Sequence, residues 1–125
     1  FSTIKFNPSI ITKNISLYEN LIIFNVYNFP NPFTEKTFFT FGYSNSSPIN
    51  IDIDIYSLDG QRIKSIHEKN ITSDGTNFIK IPSNGWNGRS DNGNKIANGT
   101  YIYHLEVLSN QNTIHEGIYK LTKLE

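Results

Sequence analysis

The chain contains no cysteine and no methionine. Without a thiol, a zinc ribbon, a disulfide framework and thiol catalysis are excluded. Charge bias is also missing: 11 basic side chains balance 11 acidic ones, and the net charge is zero. Nucleic acid is recognised by clustered Lys and Arg, so the balance argues against such a partner. It argues equally against a polybasic membrane contact. Long apolar runs are absent. The longest, Leu21 to Phe24, is far too short to cross a bilayer, and no direct membrane insertion is expected. No signal peptide precedes Phe1, so the chain reads as a piece of a longer protein or a processed product.

What is present is β-forming. Within 125 residues, enough for one domain with a real core, no segment sustains a helical period. From Ile49 to Ile55, isoleucine alternates with Asn50, Asp52 and Asp54. A period of two buries one face and wets the other, so the isoleucines enter the core. Six glycines follow Asn or Asp, at Gly60, Gly75, Gly85, Gly88, Gly93 and Gly99. These pairs accept positive φ and mark tight turns. The clearest hairpin is Leu58-Asp59-Gly60-Gln61.

The pattern predicts strands over Ile22–Tyr27, Thr37–Ser44, Asn50–Leu58, Arg62–Lys69, Thr76–Pro82, Thr100–Ser109 and Thr113–Leu124. Seven short strands with regular turns predict an all-β, immunoglobulin-like antiparallel sandwich, with a closed barrel as the alternative. Residues 25–125 are assigned to the sandwich. Residues 1–24 are assigned to a linker or the end of a preceding domain, with an extended piece at Thr3–Phe6.

Each candidate site has a plainer reading beside it. Pro30-Asn31-Pro32-Phe33 fixes φ twice and removes two amide donors, which predicts a stiff turn with Phe33 plugging the core. The loop from Trp86 to Asn94 carries Asp91, Asn92 and Asn94, whose oxygens suit a hard cation such as Ca²⁺. The spacing is not that of a helix-loop-helix calcium site, and successive Asx-Gly turns explain the same residues. No metal or other cofactor is expected. Trp86 offers a stacking platform for a sugar, or else caps the sandwich with its N–H on a carbonyl.

Asp52 with Asp54, and Glu106 with Glu116, read as solubilising residues. His67, His104 and His115 fall on three strands without ligand spacing. Four Asn-x-Ser/Thr triplets, at Asn14, Asn45, Asn70 and Asn98, are expected by chance in a sequence so rich in Asn. No catalytic constellation is visible. The last strand, if an edge, offers free amides for strand addition, with Tyr119, Lys120, Leu121, Thr122 and Lys123 as the candidate partner-binding residues.

Taken in order, several motifs resemble one family. They are Asn28-Phe29-Pro30-Asn31-Pro32-Phe33, Thr37 to Phe41, Ile53 to Asp59-Gly60, Trp86-Asn87-Gly88, and Asp91-Asn92-Gly93 through Gly99-Thr100-Tyr101-Ile102-Tyr103. The set is similar to the immunoglobulin-like domain named after the flagellar hook-capping protein (FlgD-like). Relatives of that domain are C-terminal sorting domains of the type IX secretion system of Bacteroidota. Asn31 to Thr37, the phenylalanine-rich second strand and the long Trp86 loop most resemble the C-terminal domain of the sortase-type signal peptidase of that system (PorU-like). The resemblance implies a secreted or cell-surface location at the outer membrane. It also implies recognition by an outer-membrane translocon and a shuttle protein, with the peptidase chemistry in another domain. Ordinary cargo signals lack the Trp86 loop and often end on a basic stretch, which Lys120 and Lys123 match only loosely. The competing expectation is a carbohydrate-binding or spacer module of a glycanase, with Trp86 or Tyr56 as platform.

Overall fold

The computed structural model describes residues 22–73 and 75–125. Thr3–Phe6, Asn14 and Asp74 lie outside these residues. Seven strands follow in chain order: β1 Ile23–Phe29, β2 Thr37–Tyr43, β3 Ile49–Ser57, β4 Arg62–Ile71, β5 Phe78–Trp86, β6 Gly99–Ser109 and β7 Asn112–Lys123. They form two antiparallel sheets, ordered β1-β2-β5 and β4-β3-β6-β7. β1 reaches two residues ahead of the boundary drawn at residue 25.

The alternation in β3 does what its period requires. Ile49, Ile51, Ile53 and Ile55 are buried, and Val107, Leu105 and Tyr103 pack beside them from β6. Phe39, Phe41 and Tyr43 of β2 supply the opposite layer, with Ile79 and Ile81 of β5. Burying such side chains fully contributes on the order of 1.5–3 kcal/mol each, so this interleaved layer holds the sheets together. The sandwich has the aromatic hallmark of immunoglobulin-like domains at the start of β6. There the buried Tyr101 donates its hydroxyl to the Ala97 carbonyl at 2.7 Å, a tyrosine corner.

The largest departure from expectation is in one strand. β5 does not stop at Pro82 but continues to Trp86. Its register against β2 jumps from Phe39↔Ile81 to Thr37↔Trp86, so Asn84-Gly85 forms a bulge instead of a hairpin turn. Gly85 sits at φ +80°, the conformation that such an extra loop of strand demands.

Candidate functional site

The sequence points to the final strand, and its geometry begins at the proline turn. Asn28 donates its side-chain amide to Thr37 Oγ1 at 3.1 Å, and the Thr37 hydroxyl donates to the Pro30 carbonyl at 2.7 Å. Both residues are buried, so the turn between β1 and β2 is held from inside. Phe33 is thereby driven into the core, 5.6 Å from the Trp86 ring.

The turn then grips the end of β7. Phe33 N–H donates to the Thr122 carbonyl, and Leu124 N–H donates to the Phe33 carbonyl, each at 2.9 Å. Thr122 N–H donates to Asn31 Oδ1 at 3.0 Å. Phe33 and Lys123 thus form a short parallel bridge. Gly88 lies against this junction, where an added Cβ would stand 3.2 Å from the Phe33 ring.

The five residues nominated for partner binding are placed unequally. β7 is indeed an edge of the four-stranded sheet, but its end is already covered. Leu121 and Lys123 are buried, with Lys123 Nζ 5.9 Å from the centre of the Phe33 ring. Tyr119 is half-buried against Tyr103, with ring centres 5.4 Å apart. Thr122 is engaged by the turn. Of the five residues, Lys120 alone presents both an exposed side chain and an open backbone.

The open length follows from the register. Both Thr122 backbone groups point away from β6, toward Asn31 and Phe33. Backbone groups alternate sides along a strand, so Lys120, Ile118 and Glu116 also turn theirs outward. Among the described residues nothing pairs with them. Pairing with β6 is regular from Lys123 back to His115, and a bulge at Ile114 ends that regularity. Ile118, at the middle of this stretch, is 67% exposed and lines a shallow depression with Tyr56, Gly60, Ile102 and His104.

The other candidates find internal partners. Trp86 is 3% exposed and donates Nε1–H to the Arg89 carbonyl at 2.9 Å, so it offers no face to a sugar. The Asp91 carboxylate accepts from Ser65 N–H at 3.3 Å and lies 3.6 Å from Lys64 Nζ, which ties it to β4. The loop carbonyls of Ser90, Gly93 and Asn94 accept from the loop's own donors. Among the described residues no three His, Asp or Glu gather as a metal set.

Asp52 pairs with His67, and Glu116 with His104, both at 2.7 Å on the outer face. Asp54 accepts from Ser65, and Glu106 from Thr113. His115 and Tyr119 share a hydrogen bond of 2.7 Å, and burial pushes the His115 pKa down and the Tyr119 pKa up. The Tyr103 hydroxyl is buried without a partner among the described residues, and that burial drives its pKa far up. Asp52 lies across from Glu106 and Asp54 across from His104, so these outer-face pairs are neighbours in one network over the four-stranded sheet.

A surface that the strand pattern did not announce lies on the other sheet. Phe24, Tyr27 and Phe29 of β1 and Phe78 of β5 are exposed on its outer side, with Phe38 between them beneath Lys36 and Lys80. The signal was the aromatic share of β1 and β2, but half of it serves the core. Phe24 also fills the place of a missing side chain, its ring lying directly over Gly42.

No protein-family model matches the chain, and no curated protein does either. Solved structures do. The chain is similar to a segment of PorU. The match is to the crystal structure of dimeric latent PorU from Porphyromonas gingivalis, at 28% identity and a TM-score of 0.67. It covers 82% of this chain and 9% of that one. A PorU-like all-β fold is therefore shared in sequence as well as in shape. The likeness to the hook-capping branch rests on the motifs alone.

Proposed function

We propose that the chain is a non-catalytic targeting and attachment domain for type IX secretion, carried by a sortase-type signal peptidase. The single observation that carries this reading is the similarity to PorU over most of this chain and a small fraction of that protein. The domain does no chemistry of its own. Its work is to be recognised, by an outer-membrane translocon and a shuttle protein, and it acts at the cell surface. The recognised element is the open stretch of β7 just short of the end that the Asn31–Phe33 turn closes. Main-chain pairing at Glu116 to Lys120 supplies affinity there, and the exposed side chains of the same stretch supply selectivity.

The test uses the full-length parent protein. Removing Asn112–Glu125 abolishes surface display and unfolds the domain. Because that variant confounds the two effects, Ile118→Pro is the sharper probe. It removes one outward amide from an edge position, where proline is tolerated. A folded Ile118→Pro variant that is displayed at the native level would refute β7 recognition.

A further inference from the structure

We infer that the open stretch of β7 pairs with the same stretch of a second copy, joining two four-stranded sheets into one across a two-fold axis at Ile118. Three observations lead there. Among the described residues the regular, uncovered length runs from His115 to Leu121, bounded by the bulge at Ile114 and the capped Thr122. Its midpoint is Ile118. An antiparallel partner centred on that midpoint uses the whole stretch and disturbs neither boundary.

The second observation is charge. With Ile118 opposite its own copy, Glu116 faces Lys120 of the partner subunit, and Lys120 faces the partner's Glu116. Glu116, Ile118 and Lys120 are exposed on the outer face, where Glu116 also holds His104 at 2.7 Å and keeps more than half of its side chain in solvent. Charges on an edge strand ordinarily discourage pairing. Here the signs reverse across the midpoint, so two copies in this register gain two ion pairs, while a shift by two residues sets unlike groups against each other. Third, the outward backbone groups of Glu116, Ile118 and Lys120 are donors and acceptors in matched number, as a two-fold ladder requires. Because the interface is the same patch on both copies, it closes at two and does not propagate.

The inference places a second copy on the same Glu116–Lys120 edge that the secretion reading gives to a protein partner, so the two occupants exclude one another, yet the two readings fail separately. A monomeric chain that is still exported would overturn only this one.

Analytical ultracentrifugation of the 125-residue chain over a concentration series is the test. A reversible monomer–dimer equilibrium is expected. Lys120→Glu and Glu116→Lys each set like charges in contact twice, and each weakens self-association roughly tenfold or more. Mixed one to one, the two variants form a heterodimer, and the double exchange restores the homodimer. Ile118→Cys, the sole thiol in the chain, becomes a disulfide-linked dimer on mild oxidation. Circular dichroism confirms that each variant is folded. A chain that stays monomeric would overturn the inference, as would a dimer indifferent to both charge reversals. So would a dimer lost on Phe29→Ser alone, which would move the contact to the aromatic face of the other sheet.

Discussion

β4 and β7 are the two outer strands of one sheet, yet they meet solvent on different terms. β4 is bulged twice against β3, at Ile49/Ile51 and at Ile55/Tyr56, and the Trp86 loop bonds to it through Asp91 N–H on the Ile63 carbonyl and Ser65 N–H on Asp91. β7 runs regularly beside β6 from His115 to Lys123, and among the described residues only its end is closed. Bulges and a loop cover are the usual means of blunting an edge. Their presence on β4 and scarcity on β7 teach that the fold suppresses pairing on one side and leaves it available on the other.

The comparison breaks most severely at Phe33. Phe33→Ala leaves a cavity beside Trp86 and unseats the turn. We expect a loss of about 3–5 kcal/mol in chemical denaturation, with faster hydrogen exchange at Thr122 and Leu124. The exchange of Ile118, already open, should not change. Asn31→Ala is milder, about 1 kcal/mol, and frees the Thr122 amide alone, which lengthens the open edge. Asp91→Ala is the matching change on β4. Its carboxylate is half-exposed and its bond to Ser65 long, so the expected loss is below about 1 kcal/mol, read as faster exchange at Ser65.

Much of this contrast was legible before any coordinates. Ile51, Ile53 and Ile55 declare a half-buried strand because side-chain direction is strictly alternating. Asp59-Gly60 declares its hairpin because few residues accept the φ of +92° found at Gly60. The β6–β7 turn fell between the two predicted strands, although Asn110 and Gln111 take positive φ there without a glycine. Two other features were not legible, for physical reasons. Asn84-Gly85 carries the same turn chemistry as Asp59-Gly60, but a bulge uses positive φ just as a turn does. The cap on β7 joins Asn31 to Thr122, residues 91 apart in the chain. No local pattern encodes a contact at that distance. The sequence therefore named five neighbouring residues of β7 alike, while the structure exposes Lys120 and covers Leu121 and Lys123.

The smallest expected effect is in pH. Burial disfavours the charged form of His115, so the folded chain holds this proton less tightly than the unfolded chain, whose value is the ordinary 6.5. Below 6.5 the unfolded state binds more protons, and stability falls as pH drops toward the folded value, then levels off. His115→Gln should flatten that slope in denaturation series from about pH 7 to about pH 5, with β4 unaffected.

The parallel bridge between Phe33 and Lys123 also bears on mechanics. A tether attached to Glu125 and pulled along β7 would load the Phe33–Thr122 and Leu124–Phe33 bonds together, in shear, with the Phe33 ring as an anchor behind them. Tension entering from that side meets a clasp between the two layers and no slack tail, so the first rupture event opens the sandwich at its seam.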